Sequence, residues 1–224
     1  MKERPILFKG EMVRAVLEGR KTQTRRVIKP QYGHEWKETC DKGYWISSND
    51  EGTTIFKRCP YGSPGDRLWV RETWARVWKG DGCPYGGPCS KGPCDGCNIE
   101  YRADTGGAPY PGEWPADEVC DETPKWKPSI HMPRWASRII LEVHYVRVER
   151  VQEISREDAR AEGVLTKEMM EAEDNKTSAF RIVNDPVGLF RSLWDSINAK
   201  RGYSWDSNPW VCVVEFKLLE AKCS

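Results

Sequence analysis

The sequence contains no long hydrophobic run. No apolar stretch approaches the roughly 20 residues that a membrane-spanning helix requires, so we expect no membrane partner. Near the start only Ile6-Leu7-Phe8 is apolar, which is too short for the core of a secretion signal. These absences predict a cytoplasmic protein whose nine cysteines serve as thiols or metal ligands rather than as a disulfide framework.

An excess of one charge is also missing. The 35 lysines and arginines are nearly balanced by 34 aspartates and glutamates, which gives a net charge of +1. No overall field draws such a protein onto nucleic acid, so any nucleic-acid contact must come from a local basic surface. The length of 224 residues suits one domain with insertions, or one domain plus a small appendage, and 31% charged and 38% hydrophobic residues indicate a folded chain.

Periodic segments predict the helices and strands. Apolar residues at helical spacing indicate a helix over 10–19, and Ser155 and Asp185 are typical N-caps of two further helices. Strands are predicted over three β-rich segments, namely 67–72, 138–151 and 210–216. Because helices and strands do not alternate regularly, we predict an α+β fold with a mixed sheet or a closed small β-barrel.

Three segments lack such a period and are predicted to be insertions into a single domain that spans 1–224. The first, at about 29–62, is interpreted as a long loop with one hairpin around Tyr44-Trp45-Ile46. The second, at about 79–124, is rich in Gly, Pro and Cys, and the third, at about 164–184, is polar.

Four cysteines of the second insertion follow the spacing C-x5-C-x4-C-x2-C. They are Cys83, Cys89, Cys94 and Cys97. The closing C-x2-C is typical of a zinc knuckle, and four thiolates complete a tetrahedral structural site without an open position for water. The pattern therefore predicts a structural zinc ion, while no cofactor is expected for catalysis.

A cluster of cations follows the first predicted helix. Lys21 and Thr24 lie there between Arg20 and the pair Arg25-Arg26. A threonine hydroxyl becomes a nucleophile when a base takes its proton, and a lysine acts as that base if burial or neighbouring cations lower its pKa. The pair requires a turn of the backbone, because residues three apart in a regular strand face opposite sides. The alternative is a solvated basic loop with a turn-forming threonine.

Two glutamates are further candidates. Glu162 ends the second predicted helix, and a carboxylate in the unfavourable field of a helix C-terminus is suited to proton transfer. The alternative for Glu162 is an ordinary exposed helix position. Glu72 follows Trp69 and Arg71 at the end of a predicted strand, where it can pair with Lys21 or an arginine, or face a substrate.

Basic and aromatic residues alternate around His131. In such a segment arginines can grip phosphates while tryptophans stack on bases. The candidates for substrate binding are Arg26, Trp69, Arg71, Glu72, His131, Arg134 and Trp135. The alternatives are a surface segment held by Pro128 and Pro133, and tryptophans that pack in the core.

Four segments together carry a family resemblance. Gly19 to Arg26 follows the pattern G-x-K-x-x-x-x-R, and Gly65 to Val70 follows G-D-x-L-x-V. Residues 155–163 form a short acidic helix pattern, and 213–217 form a closing strand pattern. The set resembles the ASCH domain family. The resemblance implies a fold related to PUA domains, a small β-barrel with flanking helices, and a link to RNA.

Within that family the segments are similar to small bacterial N4-acetylcytidine amidohydrolases, which release acetate from an acetylated base. That similarity implies that Lys21, Thr24 and Glu162 are catalytic. The chain is longer than those enzymes, and its G-D-R-L-W-V-R-E-T-W segment is closer in style to larger ASCH proteins of phages and prophages. A bacterial or phage-infected host cytoplasm is therefore expected.

The leading hypothesis is an amidohydrolase that acts on an acylated nucleobase or nucleoside. A non-catalytic module that binds RNA or a modified nucleotide is the first alternative, and it would use the same cations to grip phosphate. The second alternative is a ribonuclease that uses Lys21, Glu72 or His131 on the phosphodiester.

Overall fold

The chain folds into helices and strands over the residues that the computed structural model describes. These are residues 1–29, 35–38, 44–48, 54–78, 97–105, 126–167, 169–170 and 185–221. The strands are β1 (Glu3–Leu7), β2 (Gln23–Val27), β3 (Glu35–Glu38), β4 (Tyr44–Ser48), β5 (Thr54–Arg58), β6 (Arg67–Arg71), β7 (Trp74–Trp78), β8 (Cys97–Tyr101), β9 (Ile139–Arg150) and β10 (Trp210–Ala221). The helices that position the features below are α1 (Gly10–Leu17), α2 (Arg102–Thr105), α3 (Arg156–Ala161) and α4 (Pro186–Asn198).

Helices and strands occur side by side, which confirms the α+β prediction. Five strands form one sheet in the order β1-β6-β9-β10-β2, a second sheet has the order β3-β4-β5, and β7 pairs with β8. β10 is antiparallel to β2, and Val214 lies opposite Thr24. Within the described residues the five-stranded sheet has β1 and β2 as its edges and does not close into a barrel.

The first predicted loop contains a three-stranded antiparallel sheet. β4 pairs with β3 on one side and with β5 on the other, so the prediction of a loop with one hairpin was wrong in extent. Trp45 and Ser47, two residues apart on β4, are both buried, as is Trp36 on β3. These strands have only four or five residues, and a serine occupies one of the buried positions. For both reasons the apolar alternation of a strand does not stand out in the sequence.

The second predicted insertion is partly regular. β8 begins at Cys97, which pairs with Trp78 of β7. The other three predicted zinc ligands, Cys83, Cys89 and Cys94, lie outside the described residues. The zinc site therefore stays a prediction. Most of the polar segment at 164–184 lies outside the described residues as well.

The predicted helix starts are confirmed at both caps. The Ser155 hydroxyl accepts from the Asp158 N–H at the start of α3, and the Asp185 carboxylate accepts from the N–H groups of Val187 and Gly188 at the start of α4. Such caps satisfy backbone donors that have no partner within the helix. The two short patterns therefore located both helices.

The described contacts divide the chain into two compact units. Unit 1 comprises Met1–Arg4, Ala15–Leu68 and Leu141–Leu219, and unit 2 comprises Pro5–Arg14, Trp69–Ile140 and Glu220–Ser224. The core of unit 1 includes Val151, Ile154, Ala159, Phe190, Trp194, Trp205, Val211 and Val213. The core of unit 2 includes Trp74, Tyr101, Met132 and Ala136.

Candidate active site

The turn after α1 brings Lys21 into the interior of unit 1. Gly19 adopts the left-handed conformation with φ 74°, and the Lys21 N–H then donates to the Ala15 carbonyl over 2.9 Å. Lys21 also forms an isolated antiparallel bridge with Glu162, which directly follows α3. Two of the three predicted catalytic residues are therefore neighbours, although 141 positions separate them in the chain.

Gly163 permits this close approach. Its φ of 76° lies in the left-handed region, where residues other than glycine are strained. A Cβ atom at this position would lie 2.9 Å from the Cβ atoms of both Ala15 and Lys21. The glycine after α3 thus sets how near the Lys21 backbone can come to Glu162.

The Lys21 side chain is fully enclosed and fully hydrogen-bonded. Its Nζ donates to the Gln23 carbonyl at 2.7 Å, to the Glu162 carbonyl at 2.9 Å and to Glu162 Oε2 at 2.7 Å. The exposed fraction of the side chain is 0% for Lys21 and 4% for Glu162. Three acceptors match the three hydrogens of an ammonium group, so this arrangement holds Lys21 in its protonated form.

Burial nevertheless weakens the hold of Lys21 on its proton. Removal of the ammonium from water lowers the pKa of Lys21, and the nearby charges of Arg26 and Arg25 lower it further. The charge and hydrogen bond of Glu162 oppose this effect without cancelling it. A lysine with a lowered pKa is better suited to proton exchange near neutral pH than an exposed lysine.

Arg25 holds Glu162 from the other side. Its Nη1 lies 3.2 Å from Glu162 Oε1, its Nη2 lies 2.9 Å from Asp158 Oδ2, and its Nε lies 2.8 Å from Glu149 Oε1. The guanidinium is fully buried and also lies over the Phe190 ring, 5.7 Å from its centroid. Each oxygen of Glu162 therefore has its own cation, which fixes the orientation of the carboxylate.

The network continues through Asp158 on α3. Gln23 Nε2 donates to Asp158 Oδ1 at 2.9 Å, and Arg147 Nη2 lies 2.8 Å from Asp158 Oδ2. Burial would raise the pKa of Asp158, but the Gln23 hydrogen bond and the charges of Arg25 and Arg147 outweigh it and lower the pKa. Asp158 is therefore an anion at neutral pH that anchors two arginines.

Thr24 is close in sequence but is not an acceptor for Lys21. It is a buried residue of β2, opposite Val214 of β10. Lys21 Nζ donates to the two carbonyls and to the Glu162 carboxylate, and among the described residues no hydrogen bond joins it to the Thr24 hydroxyl. The structure thus brings Lys21 and Glu162 together, while the hydrogen bond predicted between Thr24 and Lys21 is absent from the described residues.

The predicted substrate-binding residues fall into both units. Arg26 belongs to unit 1, where it pairs across the sheet with Cys212 and contributes to the lowered pKa of Lys21. Those of unit 2 are Trp69, Arg71, Glu72, His131, Arg134 and Trp135.

Glu72 forms a buried ion pair with an arginine, one of the roles expected for it. Arg138 Nε lies 3.0 Å from Glu72 Oε1, and Arg138 Nη2 lies 3.2 Å from Glu72 Oε2. The same guanidinium binds both oxygens of Asp104, at 2.6 and 2.7 Å. Burial raises the pKa of Glu72, and Arg138 opposes this effect. Glu72 also lines a cavity of about 380 Å³ together with Lys9, Gly10, Glu11, Arg14, Thr73, Arg102 and Ala103.

Two tryptophan rings of unit 2 each have an arginine guanidinium beside them. The Arg71 guanidinium lies 5.5 Å from the centroid of the Trp69 ring, and Arg76 lies 5.2 Å from that of Trp135. Trp135 is 38% exposed and meets Trp74 edge to face at 5.8 Å. An exposed ring next to a cation can stack on a planar ligand. His131 and Arg134 are both exposed. His131 ends one short 3-10 turn, and Arg134 begins the next.

The sequence interpretation missed most of the charged network. Arg25 was noted only as one of several cations, and Gln23, Arg147, Glu149 and Asp158 were not candidates. One local signal was available, because Asp158 and Glu162 are four residues apart and so share a face of the predicted helix. The contacts of Gln23 with Asp158 and of Arg25 with Glu149 join residues more than 100 positions apart and leave no local pattern.

We also searched the described residues for a metal site and for a membrane-spanning helix. Among the described residues, no group of three or more His, Cys, Asp or Glu side chains is placed to hold a metal ion, and no helix is long and apolar enough to cross a membrane. Comparisons with protein-family models, curated proteins and solved structures gave no match.

Proposed function

We propose that the protein is an amidohydrolase that acts on an acylated nucleobase or nucleoside, built on a PUA-like fold of the ASCH type. Lys21, Thr24 and Glu162 are its proposed catalytic residues. The observation that carries the proposal is the buried Lys21–Glu162 pair, whose Nζ and Oε2 atoms are 2.7 Å apart. The placement of the G-x-K-x-x-x-x-R segment on a turn and a buried strand also supports it.

A buried lysine–glutamate pair is suited to both proton transfers of amide hydrolysis. In water the ammonium and carboxylate are strongly favoured over the amine and carboxylic acid. Burial penalises both charges, so the neutral pair that forms when the proton moves to Glu162 is less unfavourable inside the protein. The neutral amine then has a lone pair for the Thr24 proton, and protonated Glu162 is an acid.

The proposed reaction proceeds through an acyl-enzyme. Lys21 takes the Thr24 proton as Thr24 Oγ bonds to the amide carbonyl carbon. The bond from that carbon to the exocyclic nitrogen then breaks as Glu162 protonates the leaving amine. Water hydrolyses the threonine ester, and the acid is released. Arg26 is the proposed donor for the carbonyl oxygen in unit 1.

The amine must turn towards Thr24 for the first step. In the structure all three Lys21 hydrogens point to other acceptors, so substrate binding has to displace at least one of them. The two backbone carbonyls are the weaker partners, because they are neutral whereas the carboxylate carries a full negative charge opposite the ammonium. We propose that the Gln23 carbonyl is released, since this residue directly precedes Thr24.

The test is deacylation of N4-acetylcytidine, followed by its ultraviolet change. Lys21→Met and Thr24→Ala should each lower turnover by about 10²–10⁴-fold, the usual range for loss of a proton-transfer partner. Arg191→Met, which removes an exposed ion pair of α4, is the matched control and should keep wild-type turnover. Full activity in a folded Thr24→Ala variant would exclude Thr24 as nucleophile.

A non-catalytic module for modified nucleotides is the second candidate. The complete set of acceptors around Lys21 favours it, because a saturated ion-pair network can be purely structural. This function predicts binding of N4-acetylcytidine or RNA without turnover. Binding through phosphates would weaken steeply with salt, whereas binding of a free nucleoside would not. Cleaved RNA in the same experiment would instead indicate the ribonuclease.

A further inference from the structure

Two cysteine thiols meet in the interior of unit 1. Cys59 directly follows β5, and Cys212 lies on β10. Their sulfur atoms are 3.5 Å apart, although 153 positions separate them in the sequence. Both are free thiols and almost completely buried, with exposed fractions of 1% and 2%. We infer that Cys59 and Cys212 form a reversible disulfide when a peroxide oxidises the protein, a modification site separate from the Lys21–Glu162 pair.

The geometry requires little rearrangement. A disulfide bond is about 2.0 Å long, so the sulfur atoms need to approach each other by roughly 1.5 Å. Small rotations about the Cα–Cβ bonds move sulfur atoms over such a distance. The thiol hydrogen bond already directs one sulfur at the other. Of the nine cysteines, these are the two whose thiols the structure describes, and they are in contact with each other.

The surroundings of the two thiols differ. The hydrogen bond with Cys212 lowers the pKa of Cys59, and so do the backbone N–H groups of Tyr61 and Gly62 and the charge of Arg4, against the effect of burial. Burial raises the pKa of Cys212. Gly62, with φ 106°, closes the tight turn after Cys59, and its N–H donates to the Cys59 carbonyl over 3.2 Å. Cys59 is therefore the thiol that ionises and attacks first.

The oxidation then proceeds in two balanced steps. The Cys59 thiolate attacks one oxygen of hydrogen peroxide, the O–O bond breaks, and Cys59 becomes a sulfenic acid while the other oxygen leaves as water after protonation. Cys212 gives up its proton and attacks the sulfenic sulfur, the S–S bond forms, and a second water leaves. Two thiols are oxidised and one peroxide is reduced. A dithiol reductant reverses the change.

The disulfide would act on the strand pair that carries the proposed active site. Cys212 lies opposite Arg26, and the next two pairs along β10 and β2 are Val213–Arg25 and Val214–Thr24. A covalent bond at Cys212 would tie this part of β10 to the turn after β5. Oxidation should therefore raise the resistance of unit 1 to unfolding by urea.

Peptide mapping of the full chain decides the question. After peroxide treatment and alkylation, trypsin yields peptides 59–67 and 202–217, each with a single cysteine. We expect these two peptides to be joined, with the loss of two hydrogen atoms, and to separate on reduction. Cys120→Ser is the matched control and should keep this cross-link. Joined peptides that pair Cys59 or Cys212 with other cysteines would overturn the proposal.

The single variants test the order of the steps. In Cys212→Ser, a dimedone reagent should trap a sulfenic acid on Cys59, whereas Cys59→Ser should show at least tenfold less trapping on Cys212. Circular dichroism shows whether each variant folds, and the wild-type peptide map decides the proposal if either does not. Unmodified Cys59 and Cys212, in wild-type protein whose other cysteines are oxidised, would overturn it.

Discussion

Two buried glutamates, one in each unit, differ in the cation that holds them. Glu162 in unit 1 and Glu72 in unit 2 are 4% and 1% exposed, and each is hydrogen-bonded by an arginine. Glu162 binds Arg25 through one oxygen and Lys21 through the other. Both oxygens of Glu72 are bound by a single arginine, Arg138. An arginine keeps its proton under all physiological conditions, while a buried lysine can release it.

Under the proposed function, this difference separates the proton-transfer pair Lys21–Glu162 from the structural pair Arg138–Glu72. Burial would lower the pKa of Arg138, but its hydrogen bonds with Asp104 and Glu72 outweigh this and raise the pKa. The pKa of Lys21, in contrast, is lowered despite Glu162. Two carboxylates of similar burial therefore face cations of different acidity, and under the proposed function only the partner of the lysine takes part in proton transfer.

The largest effect on stability is expected at the structural pair. Arg138→Met leaves the Glu72 carboxylate buried without the guanidinium that binds both its oxygens. Loss of one partner of a buried pair costs about 3–5 kcal/mol of unfolding free energy, measured by urea denaturation. Because burial then raises the pKa of Glu72 more strongly, the variant should regain stability as the pH falls and Glu72 becomes protonated.

A double variant checks the cause of that loss. Glu72→Gln together with Arg138→Met removes both charges, so it should be more stable than Arg138→Met alone. If the double variant is no more stable than the single one, the loss comes from packing. The contact of Arg138 with the Tyr101 ring, 4.0 Å from its centroid, would then be the reason.

The next effect is a pH dependence that only the lysine pair should show. The folded pKa of Lys21 lies below 10.5, the value for a free lysine, so between those two values the unfolded chain binds more protons than the folded one. Unfolding free energy therefore rises with pH in this window, by at most about 1.4 kcal/mol per pH unit. Lys21→Met should lack this rise, measured by urea unfolding at a series of alkaline pH values.

Arg138→Met serves as the comparison for that experiment. An arginine stays protonated throughout the window, so this variant should keep the wild-type rise even though it is less stable. An unchanged slope in Lys21→Met would show that Lys21 ionises like an exposed lysine. The distinction between the two pairs would then be lost.

A smaller loss is expected when a helix cap is removed. The Ser155 hydroxyl accepts from the Asp158 N–H over 3.0 Å and fixes the start of α3, which carries Asp158 and leads into Glu162. Ser155→Ala should cost about 0.5–2 kcal/mol of unfolding free energy. It should also lower the turnover of N4-acetylcytidine, because the orientation of Glu162 depends on this helix.

Asp185→Ala removes the cap of α4 and is the matched control. The loss of unfolding free energy should be similar, since the Asp185 carboxylate accepts from two backbone N–H groups. Turnover should fall less than in Ser155→Ala, because α4 meets Arg25 through Phe190, whereas α3 leads directly into Glu162. Equal losses of turnover in both variants would mean that activity follows stability alone.

The caps were predictable because their signals are local. Ser155 and Asp185 each bind N–H groups two or three residues ahead, so a four-residue pattern contains the whole interaction. The Lys21–Glu162 contact spans 141 positions, and Arg138–Glu72 spans 66. The residue chemistry of Lys21 and Glu162 also allowed a solvated loop and an exposed helix position, and the family resemblance singled them out together with Thr24.

The three-stranded sheet and the Arg25 network are two features that the sequence did not predict. β3, β4 and β5 are too short for a period of two to emerge, and a buried serine interrupts it. Arg25 is a buried cation whose carboxylate partners come from β9 and from the α3 segment, so no property of its own segment marks it as interior. The role of such a residue can be recognised only in the folded structure, where distant segments supply its partners.

The smallest change in unfolding free energy is expected at an exposed ion pair, which tests the effect of burial. Arg191 and Asp206 form an ion pair at 3.0 Å, the same distance as Arg138 to Glu72, but their side chains are 51% and 78% exposed. Water screens such a pair, so Arg191→Met should change the unfolding free energy by less than about 1 kcal/mol. Methionine keeps the helix propensity of this α4 position, which leaves the charge as the main difference. If Arg191→Met costs as much as Arg138→Met in urea, the ion-pair contact itself, and not its burial, sets the stability of the Glu72 site.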